Sequence, residues 1–166
     1  MSTVTPDEMM TVAAARELTD RTVCFVGIGL PSTAANLARL NHAPAVVLVY
    51  ESGTIGAKPH RVPLSIGDGE LAETADTVVS VPEMFNYWIQ PGRIQVAFLG
   101  AAQVDRHANL NSTVIGDYDA PKTRLPGAGG GDRHHLVGAE LAAHPTCSPI
   151  HSWNVSRSRL ISSQSW

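Results

Sequence analysis

Four short runs, "TVCFVGIG" (22–29), "AVVLVY" (45–50), "TVVSV" (77–81) and "IQVAFLGA" (94–101), constrain this chain more than any other feature. They are apolar at nearly consecutive positions. A strand with one wet face alternates apolar and polar residues, whereas a strand covered on both faces does not. Runs of this kind belong in a sheet with helices packed on it. Helical stretches fall between them: "STAANLARL" (32–40), rich in small residues, and "PEMFNYWIQ" (82–90), with Pro82 near its start. Another helix opens at Thr5-Pro6-Asp7-Glu8, where Thr5 caps, Pro6 suits the first helical position and Glu8 completes a capping box. Its pattern runs to about Asp20, with Met9, Val12, Ala13 and Leu18 on the core face. The alternation predicts an α/β fold, an open and largely parallel sheet with helices on its faces. A chain of 166 residues is long enough for one such domain with a sizeable core.

Composition narrows the partners. The net charge is −3 and no run of Lys and Arg makes a basic stripe, so no nucleic-acid partner is expected. No apolar stretch approaches membrane-spanning length, and no membrane association is expected. The opening "MSTVTPDEMM" is acidic and polar, unlike a secretory leader, which makes a cytoplasmic location the default. Cys24 and Cys147 have no metal-ligand spacing, and Cys24 reads as a small buried thiol inside a strand. Four histidines gather late, at His134, His135, His144 and His151, but adjacent histidines rarely converge on one ion; no metal is expected.

The character of the chain changes twice. From Arg106 to Gly131 it is polar and turn-rich, the pattern of a functional loop. After Gly131 comes a His- and Ser-rich stretch with no clear strand and at most a short helix around Leu136 to Ala143. The expected organisation is therefore a domain over 1–131 and an atypical tail over 132–166, whose best apolar pair is Leu160-Ile161.

Two motifs sit where strands stop. "GIGLP" (27–31) is a glycine turn before a helix, either a tight turn or a place where backbone N–H groups meet a ligand. It is not the dinucleotide fingerprint, because Ser32 occupies the third glycine position. "VYESGTIGA" (49–57) puts Glu51 at the end of a core strand, before Gly53 and Gly56. A carboxylate there is a satisfied buried acid, a helix cap or a catalytic group. Gly53 and Gly56 would let a ligand approach the backbone closely, and ligands bind at the carboxyl ends of parallel strands. Ser52 lacks the context of a serine-hydrolase nucleophile.

Taken in order, "GIGLPSTAANLA", "YESGTIGAKP", "FNYWIQPGRIQVAFLGAAQVDRHANLNST" and "TRLPGAGGG" resemble the β subunit of family I CoA-transferases, over about residues 5–131. The glutaconate CoA-transferase branch is the nearer likeness and the 3-oxoacid CoA-transferases lie further off. The resemblance implies that Glu51 is the nucleophile. It aligns Gly100 to Asp105 with the family's GA-Q-x-D motif, with one extra alanine, and Gly127, Gly129 and Gly130 with its GAGG glycines. Gly27, Gly29, Gly53 and Gly56 then shape or line the substrate site, and Asn86, Gln103 and Asn109 are polar candidates for positioning substrate or Glu51. The chemistry implied is transfer of CoA from an acyl-CoA to a free carboxylic acid through a glutamyl-CoA thioester on Glu51. It requires no cofactor, since the CoA thioester is the substrate. In the family a Gly-rich loop of an α subunit helps to bind the thioester. The chain has no obvious α half, so a CoA-transferase α subunit is expected as partner in a hetero-oligomer. An acyl-CoA hydrolase on the same scaffold, or a non-catalytic subunit, are the alternatives.

The tail departs from the family, whose β subunits continue past the glycine loop with an apolar strand. Gly131-Asp132-Arg133-His134, read one base later, can encode Ala-Thr-Asp-Ile, which resembles that continuation. The expectation is a truncation or shift of reading frame after about residue 131, leaving the fold incomplete at its C-terminus.

Overall fold

Thr5 begins the first helix as its sequence requires. In the computed structural model, which describes residues 4–100, 103–104, 110–111, 113–125, 141–142 and 160–161, the Thr5 hydroxyl accepts the Glu8 N–H at 3.2 Å. The Glu8 carboxylate in turn accepts the Thr5 N–H at 2.8 Å, and these bonds hold the Glu8 carboxyl below its usual range. Helix α1 (Pro6–Arg16) follows. It buries Ala14 and Ala15, with Leu18 just beyond its end, while Met9 and Val12 are exposed. The expected core face holds at Leu18 and is corrected at Met9 and Val12: small alanines let α1 lie close against α2 (Leu30–Asn41), which presents Ala34, Ala35 and Ala38 to it.

The apolar runs form the middle of a sheet. Strands β1 (Val23–Val26), β2 (Val47–Val49), β3 (Thr54–Ile55), β4 (Thr77–Val78) and β5 (Val96–Phe98) are joined by β10 (Leu141–Ala142) and β11 (Leu160–Ile161) in the order β11-β10-β5-β1-β2-β3-β4. β1 is parallel to β2 and β5, with Cys24 in register with Leu48 and Val96. β5, β10 and β11 are parallel as well, so the sheet is largely parallel as expected. Side chains alternate between two cores. Cys24, Val26, Leu48, Tyr50, Val96 and Phe98 pack under α1 and α2. Phe25, Val49, Ile55 and Ala97 face Met84, Trp88 and Ile89 on the other side. Cys24 is wholly buried, and burial drives its thiol pKa upward, so it stays protonated and inert.

The edges differ from the sequence reading. β3 and β4 run antiparallel, and Thr77 and Val78 are exposed because β4 lies at the rim. A short helix α3 (Gly69–Glu73), capped by Asp68, precedes β4. The stretch expected as a helix over 82–90 is a single α-turn, α4 (Val81–Glu83), running into a π-helical segment (Met84–Ile89). The Gln90 N–H reaches back five residues to the Phe85 carbonyl at 2.9 Å. The stretch read as one loop over 106–131 contains a hairpin of β8 (Val114–Gly116) and β9 (Pro121–Arg124), preceded by the pair β6 (Gln103–Val104) and β7 (Leu110–Asn111). In the tail, Leu141–Ala142 is strand rather than the expected short helix, and Leu160–Ile161 is β11. The boundary expected at Gly131 lies outside the described residues.

The connection from β3 to β4 is stitched by charge. Arg61 meets Asp68 through two bonds, at 2.9 and 3.0 Å, and Glu70 at 2.7 Å. Asp68 also accepts the Leu64 and Glu70 N–H groups, and with Arg61 these bonds hold its carboxyl below the usual range. Leu64 itself stands almost fully exposed on this loop. No helix among the described residues is long and apolar enough to cross a membrane.

Candidate active site

Glu51 lies in the turn that reverses the chain between β2 and β3. Val49 pairs with Ile55, the Tyr50 N–H donates to the Thr54 carbonyl at 3.0 Å, and the Gly53 N–H donates to the Tyr50 carbonyl at 2.9 Å. This is a three-residue hairpin loop closed by a bulged glycine, and Gly53 supplies the left-handed backbone it needs, at φ +98°. Glu51 and Ser52 form the tip. Glu51 is half-buried, and its side chain has no hydrogen-bond or ion-pair partner among the described residues. The turn bears on two of the readings left open for this acid: Glu51 does not cap a helix, and among the described residues it is not paired in the core.

The parallel strands bring the other motif to the same edge. Phe25 is level with Val49 and Val26 with Phe98, so the chain leaves β1 at Gly27, β2 at Tyr50 and β5 at Leu99 along one line, about 4.8 Å apart. Gly27 donates its N–H to the Phe98 carbonyl at 2.7 Å, and a methyl group there would lie 3.0 Å from that oxygen. Gly29, at φ +85°, caps α2 without any side-chain hydrogen bond. The Ser32 hydroxyl folds back to the Gly27 carbonyl at 2.8 Å. An apolar cavity of about 230 Å³ opens between this turn, α1 and the end of β5, lined in part by Ile28, Leu30, Pro31, Phe98 and Leu99. Glu51 does not line it.

Gly53 and Gly56 do something other than admit a ligand. A Cβ on Gly53 would fall 2.0 Å from the Val79 carbonyl oxygen, and one on Gly56 would fall 2.2 Å from the Asp76 carboxylate. Their N–H groups are committed to the Tyr50 and Leu48 carbonyls. The space over both glycines is taken by the chain itself, which lets β3 and β4 close on β2. The expectation that these two positions let a ligand approach the backbone closely is corrected on that ground.

The polar candidates are scattered. Gln103 accepts the Asn111 side-chain amide at 2.7 Å, and the same amide group donates to the Val114 carbonyl at 2.6 Å. Asn86 is exposed on the π-helical segment, and no described hydrogen bond joins it or Gln103 to Glu51. Asn109, Asp105, Gly127, Gly129 and Gly130 lie outside the described residues, as do Cys147 and the late histidines. No three potential metal ligands gather among the described residues.

In the hairpin that carries Glu51 the structure places three hydroxyls, of which the sequence reading weighed only Ser52, and only as a nucleophile. The Tyr50, Ser52 and Thr54 hydroxyl oxygens are buried without a hydrogen-bond partner among the described residues. Burial raises the Tyr50 pKa, with the nearby Ser32 hydroxyl offsetting this in part; the proton of Ser32 itself goes to Gly27. Periodicity and motif spacing carry no signal for such groups, because only packing decides whether a hydroxyl finds a partner.

Comparison with known proteins gives a consistent answer. The family model described as Coenzyme A transferase matches residues 7–158. The chain is 72% identical over 130 residues to the B-subunit of 3-oxoadipate CoA-transferase from Pseudomonas knackmussii, covering 78% of this chain and 50% of that protein. It is 37% identical over 130 residues to the B-subunit of glutaconate CoA-transferase from Acidaminococcus fermentans, covering 76% and 49%. The chain thus spans about half the length of these curated relatives. In three dimensions it is similar to the crystal structure of glutaconate coenzyme A-transferase from A. fermentans, at TM-score 0.72 and 33% identity, over 85% of this chain and 55% of that one. It is also similar to the decarboxylase AibA/AibB, at TM-score 0.73 and 26% identity, over 86% and 59%.

Proposed function

The chain belongs to the coenzyme A transferase family, and from that premise we propose that it is the β subunit of an enzyme that moves CoA from an acyl-CoA to a free carboxylic acid. One observation carries the chemistry. Glu51 is half-buried at the tip of a rigid turn on the carboxyl edge of the parallel strands, with no partner among the described residues to quench it. A carboxylate so placed is available as a nucleophile.

The steps balance without an added reagent. A Glu51 oxygen attacks the thioester carbon; the C–S bond breaks and its electron pair leaves on the CoA sulfur, giving a mixed anhydride. The CoA thiolate then attacks the Glu51 carbonyl carbon. The C–O bond breaks towards the substrate, releasing its carboxylate and leaving a glutamyl-CoA thioester. A second carboxylate reverses both steps. The 72% identity to one chain of a 3-oxoadipate CoA-transferase favours a dicarboxylic oxo acid of that kind as substrate. Both relatives are named as B-subunits, which favours an α subunit as the partner in a hetero-oligomer; a cytoplasmic location belongs to the same reading. The site near Glu51 takes Gly27 and Gly29 from the β1 turn. Gln103 and Asn86 are held as positioning residues, with Asn109 and the glycines at 127, 129 and 130 completing the reading. The division of the chain at about residue 131 belongs to the same reading.

The test uses the chain prepared with a CoA-transferase α subunit. Incubation with 3-oxoadipyl-CoA and no acceptor, borohydride reduction and mass spectrometry should locate an adduct on Glu51. An adduct elsewhere rejects the assignment. Adding acetate or 3-oxoadipate separates transfer from hydrolysis, since a hydrolase releases CoA at the same rate with or without an acceptor acid. The chain without the α subunit should be inactive.

A further inference from the structure

We propose that the Ser52 hydroxyl is a catalytic hydrogen-bond donor to the Glu51 carbonyl oxygen while the glutamyl-CoA thioester forms and breaks; this rests on the reading of Glu51 as the nucleophile.

When the CoA thiolate attacks the anhydride, negative charge develops on the oxygen of Glu51 itself. A hydrogen-bond donor that reaches that oxygen stabilises it; in the free chain the Ser52 hydroxyl has no acceptor within range among the described residues, so the contact forms as the thioester is made. Three donors of the turn are spent: the N–H groups of Tyr50, Gly53 and Gly56 bond to carbonyls of the same hairpin. The Ser52 hydroxyl is not spent. It is buried, it has no partner among the described residues, and it belongs to the residue that follows Glu51 at the tip. Tyr50 and Thr54 also carry unpartnered hydroxyls, but they face each other across the strands and are almost wholly buried, with Tyr50 part of the core beneath α2. Ser52 differs in being only half-buried as a residue, at the solvent end of the hairpin. A buried hydroxyl left unpaired costs stability, and groups left in that state call for an account in terms of function. A transient partner, the oxygen of the loaded Glu51, supplies one. The serine donates a hydrogen bond and keeps its proton, so the balance of the transfer is unchanged.

The experiment compares Ser52→Ala, Ser52→Thr and Ser52→Val with the wild type, each prepared with a CoA-transferase α subunit. The rate of adduct formation on Glu51 is followed by quenching at intervals after adding 3-oxoadipyl-CoA, and thermal midpoints are measured in parallel. Ser52→Ala and Ser52→Val should form the adduct about 100-fold more slowly, the usual cost of deleting one such donor. Ser52→Thr, which keeps the hydroxyl, should stay near the wild-type rate. The midpoint of Ser52→Ala should hold or rise, because the substitution removes an unpaired buried group; a structural role would lower it. Wild-type adduct rates in Ser52→Ala overturn the proposal, and so does a slow rate accompanied by a lower midpoint that Ser52→Thr does not restore. If Ser52→Ala fails to fold, equal rates in Ser52→Thr and Ser52→Val, which differ only in the hydroxyl, overturn it. An adduct on a residue other than Glu51 in the wild type overturns the reading of Glu51 and takes this inference with it; a wild-type adduct on Glu51 with unaffected variants sinks the serine alone.

Discussion

Gly53 and Val79 touch backbone to backbone. The Val79 N–H donates to the Gly53 carbonyl at 2.9 Å, and a methyl group on Gly53 would lie 2.0 Å from the Val79 carbonyl oxygen. The turn that carries Glu51 is therefore clamped from outside by the end of β4. Gly53→Ala should cost about 1–2 kcal/mol from its left-handed backbone and about 1–3 kcal/mol more from the forced shift of Val79. Gly29→Ala meets nothing within 4 Å and should show the strain alone, about 1–3 kcal/mol. Urea unfolding of the two variants checks the order; Gly29→Ala being the more damaging would contradict it.

Glu51→Asp should leave stability within about 0.5 kcal/mol of wild type, since no described group pairs with the carboxylate. On the proposed role of Glu51, its CoA transfer should fall about 100-fold, because retracting a nucleophile by roughly 1 Å is enough for that. Steady-state kinetics with the α subunit present, read beside the thermal midpoint, separate the two effects.

The buried phenol of Tyr50 sets an alkaline limit. Its pKa is raised above 10.0 in the folded chain, chiefly by burial, while the unfolded chain titrates near 10. The unfolded state therefore loses its proton first as pH rises, and stability present below pH 10 is lost above it. Tyr50→Phe should be nearly neutral at pH 7, because it removes a hydroxyl with no partner. It should also flatten the fall in thermal midpoint between pH 9 and 11.

Asp68 works at the other end of the scale. Its carboxyl is held low by the Leu64 N–H first and by Arg61 next. A lowered folded pKa contributes stability above about pH 4 and loses it as pH falls through the folded value. Below pH 4 the loop from Arg61 to Glu70 should open before the sheet does. Asp68→Asn should bring that opening to neutral pH, read as faster amide exchange at Leu64 and Glu70. Unchanged exchange at these two sites would remove Asp68 as the tie.

What the sequence made legible follows from where the hydrophobic effect alone decides. β1, β2 and β5 are covered on both faces, so their apolar runs announce them. α1 declares its start through Thr5 and Glu8, since a capping box is local chemistry; its buried face escapes a reading by periodicity because alanines carry little hydrophobic signal. β3 has two residues, and its antiparallel direction depends on the Gly53 bulge, which a strand-to-helix reading of a parallel sheet does not anticipate. The β8–β9 hairpin is hidden in a polar stretch whose turn is built by the Asp117 carboxylate accepting the Asp119 N–H at 2.8 Å. At the site, Glu51 stands out by its place at a strand end. The unpartnered hydroxyl of Ser52 does not, because pairing in the interior is a property of three-dimensional packing.

The hairpin that carries Glu51 closes upon itself over seven residues, Val49 to Ile55, and is clamped from outside at Gly53. On the proposed reading of Glu51 as the nucleophile, the reacting group rides on a self-contained module, apart from the connections after β1 and β5 that line the cavity. A lineage built this way can change what it handles without rebuilding what it does. Equally, it can change its chemistry through a single side chain at one turn, leaving every helix and strand where it was.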